Sequence, residues 1–535
     1  MSKFKTNRRD VVKTGAALGL SVAGATGVAI DGLAAPAGTA PRIATEQDGA
    51  TGGSFRLVDG TEPNSLDPPI GTGTFSHIVL SMFESLTKLD SEGNLLPSLA
   101  TDWTVGEDEL TWTINLKPGV TFHDGTDFTA TSVKYAFERL QNPDFGAGRA
   151  AIFTVIEAVN VAEPLVAEIV TTRPFPDLPF LLADQSASMV SETASEELGF
   201  DDFGLHPVGT GPFEFVEWIP NDHVTVKRFE AYHGDVAKLD ELILRVVPEA
   251  SSREAMLLAG EADLVVSPPS ESLESLQGNS DLEVVVYDSL SQVTSEMRQT
   301  QPPFLIKEVR QAMNYAIDKQ AIVDTIMNGL GRVCDSPAPP NVWGAVTLEP
   351  YAYDPEKAKE LLATAGYPDG FEGHLFYVSG RWAGDDQVSQ ALQAYWAQVG
   401  IRIELETIDN GSLGEYLGVD PDERAGWTTQ QIRSSTYLDY HLYRLFHSES
   451  TFAAGAQRSG YKNEEVDALL VEGRSTFDEE VRLAAYEQAQ RLIWDDAAFV
   501  WVFVLSNTVA YRTGITGLEI HPNADMFFGN VELPA

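Results

Sequence analysis

The stretch LILRVVPEASSREAMLLAGEADLVVS, residues 242–267, decides the fold class. LILRVV is short, apolar and β-branched, and Pro248 closes it. SSREAMLLAG has a helical composition and ends at Gly260. DLVVS is a second short apolar run. Strand, helix, strand is the order of a βαβ crossover, which sets the two strands parallel in one sheet. The chain is therefore read as α/β.

The segments on either side agree. Leu110, Trp112, Ile114 and Leu116 alternate with Thr111, Thr113, Asn115 and Lys117, which predicts a half-buried strand. Val133, Phe137 and Leu140 line one face of a helix over 131–141. Two apolar-periodic helices near 309–328 meet at Asp318, which caps the second before Gly329 ends it. Asp354 at the N-cap, Pro355 at the first turn and Gly366 just past the end frame a helix with Ala358, Leu361, Leu362 and Ala365 as its buried stripe. Val388, Leu392, Tyr395, Trp396 and Val399 form another stripe, ended by Gly400. Ile401, Ile403 and Leu405 then alternate along a strand. Two acidic helices fill about 463–495, and FVWVFVL at 499–505 reads as a strand buried on both faces.

At 535 residues the chain is too long for one core, so two or three lobes are expected. A hydrophobic fraction of 43% excludes a mainly disordered chain. The formal net charge of −43 comes from 79 acidic and 36 basic residues, and such a field repels nucleic acid. Only 13 of the 36 cations are Lys, a pattern that fits a halophile. At ~1 M salt the Debye length shrinks to ~3 Å and self-repulsion is screened. A single cysteine, Cys334, allows no intrachain disulfide and no cysteine metal site, and it lies too far along the chain to carry a lipid anchor. Beside the Pro-rich run Ser336–Pro340 it reads as an apolar filler. The nine histidines show no metal-ligand spacing such as HExxH.

The N-terminus reads as an address. NRRDVVK at 7–13, with Arg8 and Arg9 paired, precedes the mildly apolar TGAALGLSVAGATGVAI and the small-residue run LAAPAG. This resembles a twin-arginine export signal, with cleavage near Ala35 or Ala37. Residues 1–37 are read as the signal peptide and 38–52 as a flexible tether, which makes the protein exported, to the periplasm or cell surface. Beyond that region no apolar run reaches the ~20 residues that cross a bilayer.

Five further signatures occur in order: PSLATDWTVGEDELTWTINLKPGVTFHDGTDFTATSVKYAFERL at 97–140, HPVGTGPFEFVEW at 206–218, PPF followed by VRQAMNYAIDKQAIV at 302–323, YDPEKAKELLATAGYPDG at 353–370, and GYKNEEVDALL at 460–470. Together they resemble the family 5 extracellular solute-binding proteins, the dipeptide, oligopeptide and nickel-binding group of ABC importers. The glycines of HPVGTGPF are read as permitting backbone angles closed to other residues. His123 and Asp124 read as a polar loop corner. No GxSxG, P-loop or GxGxxG motif offers an enzymatic site.

The resemblance implies an α/β, two-lobed periplasmic-binding-protein type II fold with an extra subdomain in lobe one. Lobe one would comprise 53–88, 206–288 and 508–535, the subdomain 89–205 and lobe two 289–507, with hinges near 289 and 507. It implies a monomer without cofactor or metal that captures a small solute and delivers it to ABC permease subunits at the membrane, without catalysis. Ligand contacts would come from Phe75 and Ser76 in the first loop, Arg298 before PPF, Arg381 and Trp382 after LFYVSG, and Trp427, Gln430, Arg433 and Tyr437 from the loop opened by AGWTT. Peptide-binding relatives often carry an aspartate three residues after this tryptophan, where it pairs with the peptide ammonium. Here that position is Gln430, which disfavours a simple peptide held by its ammonium and leaves Arg433 to suggest an anionic group on the solute. If the loop is lengthened, Asp439 takes the ammonium role. The competing classes are a secreted hydrolase of peptides or glycosides, which turnover would reveal, and a peptide chaperone or chemoreceptor accessory, which partner identification would reveal.

Overall fold

The computed structural model describes residues 52–70, 76–420, 423–424, 426–450 and 459–534. The export signal read at 1–37, nearly all of the tether, and Phe75 lie outside the described residues.

The βαβ reading of 242–267 holds. Strands Glu241–Val246 and Leu264–Val266 are joined by helix Ala250–Leu258 and run parallel on the two sides of strand Ser54–Asp59. These three, continued by the antiparallel strands His223–Arg228 and Phe213–Ile219, make half of a large mixed sheet. Phe55, Leu57, Leu242, Leu244, Leu264 and Tyr511 lie in the apolar core of this first lobe.

The other half of the sheet is built on parallel strands Glu372–Tyr377, Arg402–Thr407 and Trp427–Arg433. Helices cover both faces. Met313, Leu375, Trp396 and Phe503 fill one layer, and Ile432, Leu442, Tyr486 and Trp501 fill the other. The helix Pro355–Thr364 starts as read: the Asp354 side chain accepts from the Lys357 N–H, and Gly366 takes φ +90° just past the end. Asp318 caps Lys319–Thr325 in the same way, accepting from Ala321.

Two long strands join the halves. Leu282–Glu296 and Val500–Arg512 pair antiparallel from Leu282 opposite Arg512 to Ser295 opposite Val500, with a register break between Asp288 and Gln292. The sequence reading ended the second of these at 505. It continues for seven residues because Val285–Asp288 and their neighbours hold Ser506–Val509 in the ladder, although the apolar pattern lapses at Ser506, Asn507 and Thr508.

A separate four-stranded antiparallel sheet, in the order Ala100–Val105, Thr111–Leu116, Val166–Thr171, Ile156–Glu163, packs against helix Ala130–Gln141. Trp112, Ile114 and Leu116 face its core, in the alternation read from the sequence. A buried bidentate pair from Arg139 to Asp67, at 3.0 and 2.5 Å, ties this subdomain to lobe one.

The HPVGTGPF turn departs from its reading. Neither Gly209 nor Gly211 has positive φ; what excludes a side chain is close approach. A Cβ on Gly209 would sit 2.2 Å from the Met82 carbonyl oxygen, and one on Gly211 2.6 Å from the Met82 carbonyl carbon. His123 holds the turn: its Nε2 donates to the Gly211 carbonyl (3.0 Å) and its Nδ1 accepts from the Gly209 N–H (3.3 Å). Burial lowers its pKa, so the ring is neutral and structural.

Candidate functional site at the meeting of the strand ends

The register locates the cleft. Strand Leu264–Val266 runs against Tyr511–Val509, so its carboxyl end points toward Ser506. Strand Trp427–Arg433 runs against Glu296–Ser291, so its carboxyl end points toward the same crossing segment from the other lobe. The parallel strands of both lobes therefore aim their carboxyl ends at one crevice, where open α/β sheets bind ligands.

On the lobe-two side this crevice holds a small recess of about 10 Å³, lined by residues that include Tyr377, Arg381, Trp382, Ser389, Thr429 and Gln430. It exists because strand Glu372–Tyr377 covers Trp427–Arg433 only at Trp427 and Thr428, leaving Thr429 and Gln430 uncovered on that edge. The loop after Tyr377 is shaped by Asp385, whose carboxylate accepts the N–H groups of Arg381 (2.7 Å), Trp382 (3.1 Å) and Asp386 (2.8 Å). Asp385 is thus committed to positioning that loop. The Arg381 side chain is exposed and donates to Asn410 Oδ1 at 2.9 Å. Trp382 is half-buried, edge-on to Phe503 at 6.1 Å. The hydroxyls of Ser389, Thr428 and Thr429 are buried and have no protein hydrogen-bond partner among the described residues. Gln430 is buried and donates its amide to Glu296 Oε1 at 2.5 Å. Glu296, on the neighbouring strand, places a carboxylate directly behind the amide that sequence reasoning had singled out. That pairing depends on strand register, so no local signal could have shown it.

Ser76 and Arg433 converge from opposite lobes on one turn. Strands Glu519–Ile520 and Met526–Phe527 form a small hairpin. Arg433 donates to its Asn523 carbonyl at 2.7 Å, and Ser76 donates to Asp525 Oδ1 at 2.5 Å. Burial raises the Asp525 pKa, opposed chiefly by the Ser76 hydrogen bond and the Arg433 charge. In lobe one, Asp59 closes the first strand with its carboxyl raised to about 6 by burial, and His77 faces it at 3.8 Å with its pKa lowered to about 4. The sequence reading included neither residue.

The remaining candidates lie elsewhere. Trp427 is 1% exposed and sits in the lobe-two core, edge-on to Phe304 (4.9 Å) and Trp396 (6.1 Å). Arg298 donates to the Arg424 carbonyl. Tyr437 is buried against Phe180 of the subdomain. Asp439, the alternative ammonium partner, is 2% exposed and engaged by Arg474 at 3.2 Å and the Tyr486 hydroxyl at 3.3 Å.

Two α/β lobes joined by two crossing strands, with a polar crevice where their strand ends meet, define a cleft-type solute-binding protein with the type II periplasmic-binding fold. The model of the bacterial extracellular solute-binding proteins, family 5 Middle, matches residues 94–444. The glutathione-binding protein GsiB of Salmonella paratyphi A is 33% identical over 479 residues, covering 89% of this chain and 93% of the relative. Among solved structures, the ABC transporter-associated periplasmic binding protein DppA from Helicobacter pylori, in complex with peptide STSA, superposes with a TM-score of 0.76 at 25% identity over 90% of this chain and 99% of that one. HbpA2 from Haemophilus parasuis does so with a TM-score of 0.81 at 24% identity over 90% of this chain and all of that one. The chain belongs to the family 5 extracellular solute-binding proteins, the binding components of ABC importers that work with permease and ATPase subunits. No helix among the described residues is long and apolar enough to cross a membrane.

Proposed function

We propose that this protein captures a peptide-like organic anion, of the kind glutathione represents, and holds it by a carboxylate at Arg381 rather than by an ammonium at Gln430. The carrying observation is the lobe-two recess: its lining joins the exposed Arg381 and the Trp382 indole to Ser389, Thr428 and Thr429, whose hydroxyls have no protein partner among the described residues, while the position three residues after Trp427 offers a neutral amide. Identity of 33% to glutathione-binding proteins over 89% of the chain supports the same class. Ser76 and Arg433 act at the rim. The lobes divide at 53–88, 206–288 and 508–535 against 289–507, with 89–205 as the subdomain, and the crossing strands are the hinge. The protein acts as a monomer, is exported with its signal at 1–37 removed, and releases its ligand chemically unchanged.

Calorimetry with glutathione, its N-acetyl derivative and a set of di- to pentapeptides tests this reading. Glutathione is expected to bind, to keep its affinity on N-acetylation and to lose it with Arg381→Met. A ligand at 100 times its Kd stabilises the fold by about 2.7 kcal/mol. Binding of ordinary peptides that vanishes on N-acetylation would overturn the proposal, and conversion of any ligand would make the protein an enzyme.

A further inference from the structure

A buried charged seam joins the extra subdomain to lobe two. On the subdomain side stand Trp112, Arg173, Asp177 and Phe180. On the lobe-two side stand Trp343, Tyr437, Asp439, Phe477, Arg474 and Arg482. Asp177 and Arg482 are 305 residues apart in the chain and form an ion pair with side chains only 1% and 9% exposed. The Arg482 guanidinium also lies 4.9 Å from the centre of the Trp343 ring. Beside it, Arg173 reaches the Arg474 carbonyl at 3.4 Å and lies 3.9 Å from Asp439, which Arg474 also engages. Phe180 meets Trp343 at 6.3 Å and Tyr437 at 6.4 Å, and Trp112 meets Phe477 at 5.8 Å. In a chain with only 36 cations against 79 carboxylates, three arginines gather at this contact, Arg482 nearly buried and Arg173 and Arg474 partly so.

The subdomain is fixed to lobe one. The chain enters and leaves it from lobe one, the Arg139–Asp67 pair is buried between them, and the Met189 N–H donates to the Glu84 carbonyl at 2.9 Å. Among the described residues, lobe two is joined to lobe one's sheet through the two crossing strands, with side-chain contacts such as Asn328 to Ser270 beside them. Any opening about those strands must pull Asp177 away from Arg482 and rehydrate both. A buried ion pair gains little over two hydrated ions, yet closing on one partner alone strands a charge in a dry site. Such a seam therefore specifies one closed geometry.

We propose that Asp177 and Arg482 are positioning residues for ligand capture: the extra subdomain is the outer jaw of the cleft, and this pair latches it to lobe two only in the closed form. The proposal rests on the binding reading above and concerns residues that do not line the recess.

The test compares the full chain with Arg482→Met, Asp177→Asn and the double variant. Arg482→Met leaves Asp177 buried and unpaired on closure, so the Kd for a wild-type ligand is expected to weaken on the order of 100-fold, mostly through faster release. The double variant removes the stranded charge and is expected to return to within about 10-fold of wild type. Without ligand the closed form is only one of two populated states and the open form hydrates both groups, so the ligand-free melting temperature should fall by no more than about 2 °C. Small-angle scattering without ligand supplies an independent arm: Arg482→Met loses that closed population and should show a larger mean radius of gyration than wild type, and the double variant should not. Unchanged affinity and radius in Arg482→Met, or a ligand-free melting temperature lowered by more than about 5 °C, would show a permanent interface and overturn the latch. A wild type that binds none of the peptides would defeat the binding reading, while the scattering arm would still judge the pair.

Discussion

Trp427 separates two accounts of lobe two. Its place in the AGWTT loop made it a ligand candidate, whereas the structure packs it at 1% exposure between Phe304, Trp396 and Gly373. A Cβ on Gly373 would lie 2.6 Å from the Trp427 ring, so the ring fills the space that this glycine leaves. Replacing a buried Trp by Ala costs ~3–5 kcal/mol through lost transfer energy and the cavity left behind. Two edge-on aromatic contacts, each worth ~0.5–1.5 kcal/mol, favour the upper half of that range. A domain of roughly 200 residues loses ~2–4 °C of melting temperature per kcal/mol, so Trp427→Ala is expected to lower the lobe-two transition by roughly 8–20 °C. Trp427→Phe keeps an aromatic ring facing Phe304, should cost about half as much and should leave the ligand Kd within about threefold. Scanning calorimetry and titration of the same preparations check both numbers. A Trp427→Phe variant of wild-type stability that has lost binding would refute the core assignment and return Trp427 to the cleft.

Burial lowers the Lys319 pKa to about 7, so between there and the ordinary lysine value near 10.5 the unfolded chain binds more protons than the folded one. Stability should rise across that window as pH rises, by up to ~1.4 kcal/mol per unit, and Lys319→Met should flatten the slope in urea titrations; parallel wild-type and variant curves would contradict this. Gly209→Ala forces a Cβ onto the Met82 carbonyl and is expected to cost ~1–3 kcal/mol or more, so a loss under about 0.5 kcal/mol would show that the turn yields easily. Changing Arg8 and Arg9 to Lys should leave precursor in the cytoplasm, and normal secretion of that variant would defeat the twin-arginine reading. With a net charge of −43, the melting temperature should climb between ~0.1 M and ~2 M KCl, and a flat or falling curve would remove the halophile reading.

By itself the sequence determined what short-range physics controls. Asp354, Pro355 and Gly366 mark a helix because orphan N–H and C=O groups must be met within a turn of where they arise. Trp112, Ile114 and Leu116 mark a strand because alternate side chains leave opposite faces. LILRVV, SSREAMLLAG and DLVVS mark a crossover for the same reasons, and that settled the α/β class. Only the tertiary structure decided which residues face the cleft. Whether a loop tryptophan packs inward, as Trp427 does, depends on what lies across the sheet. Strand Val500–Arg512 runs past its apolar stretch because partners more than two hundred residues earlier hold its backbone. Gly209 and Gly211 are required by the carbonyl of Met82, and Glu296 stands behind Gln430 only because two strands share a register. Asp177 meets Arg482 across 305 residues of chain. Burial and pairing at such separations depend on how whole layers dock, and local residue pattern carries no information about that.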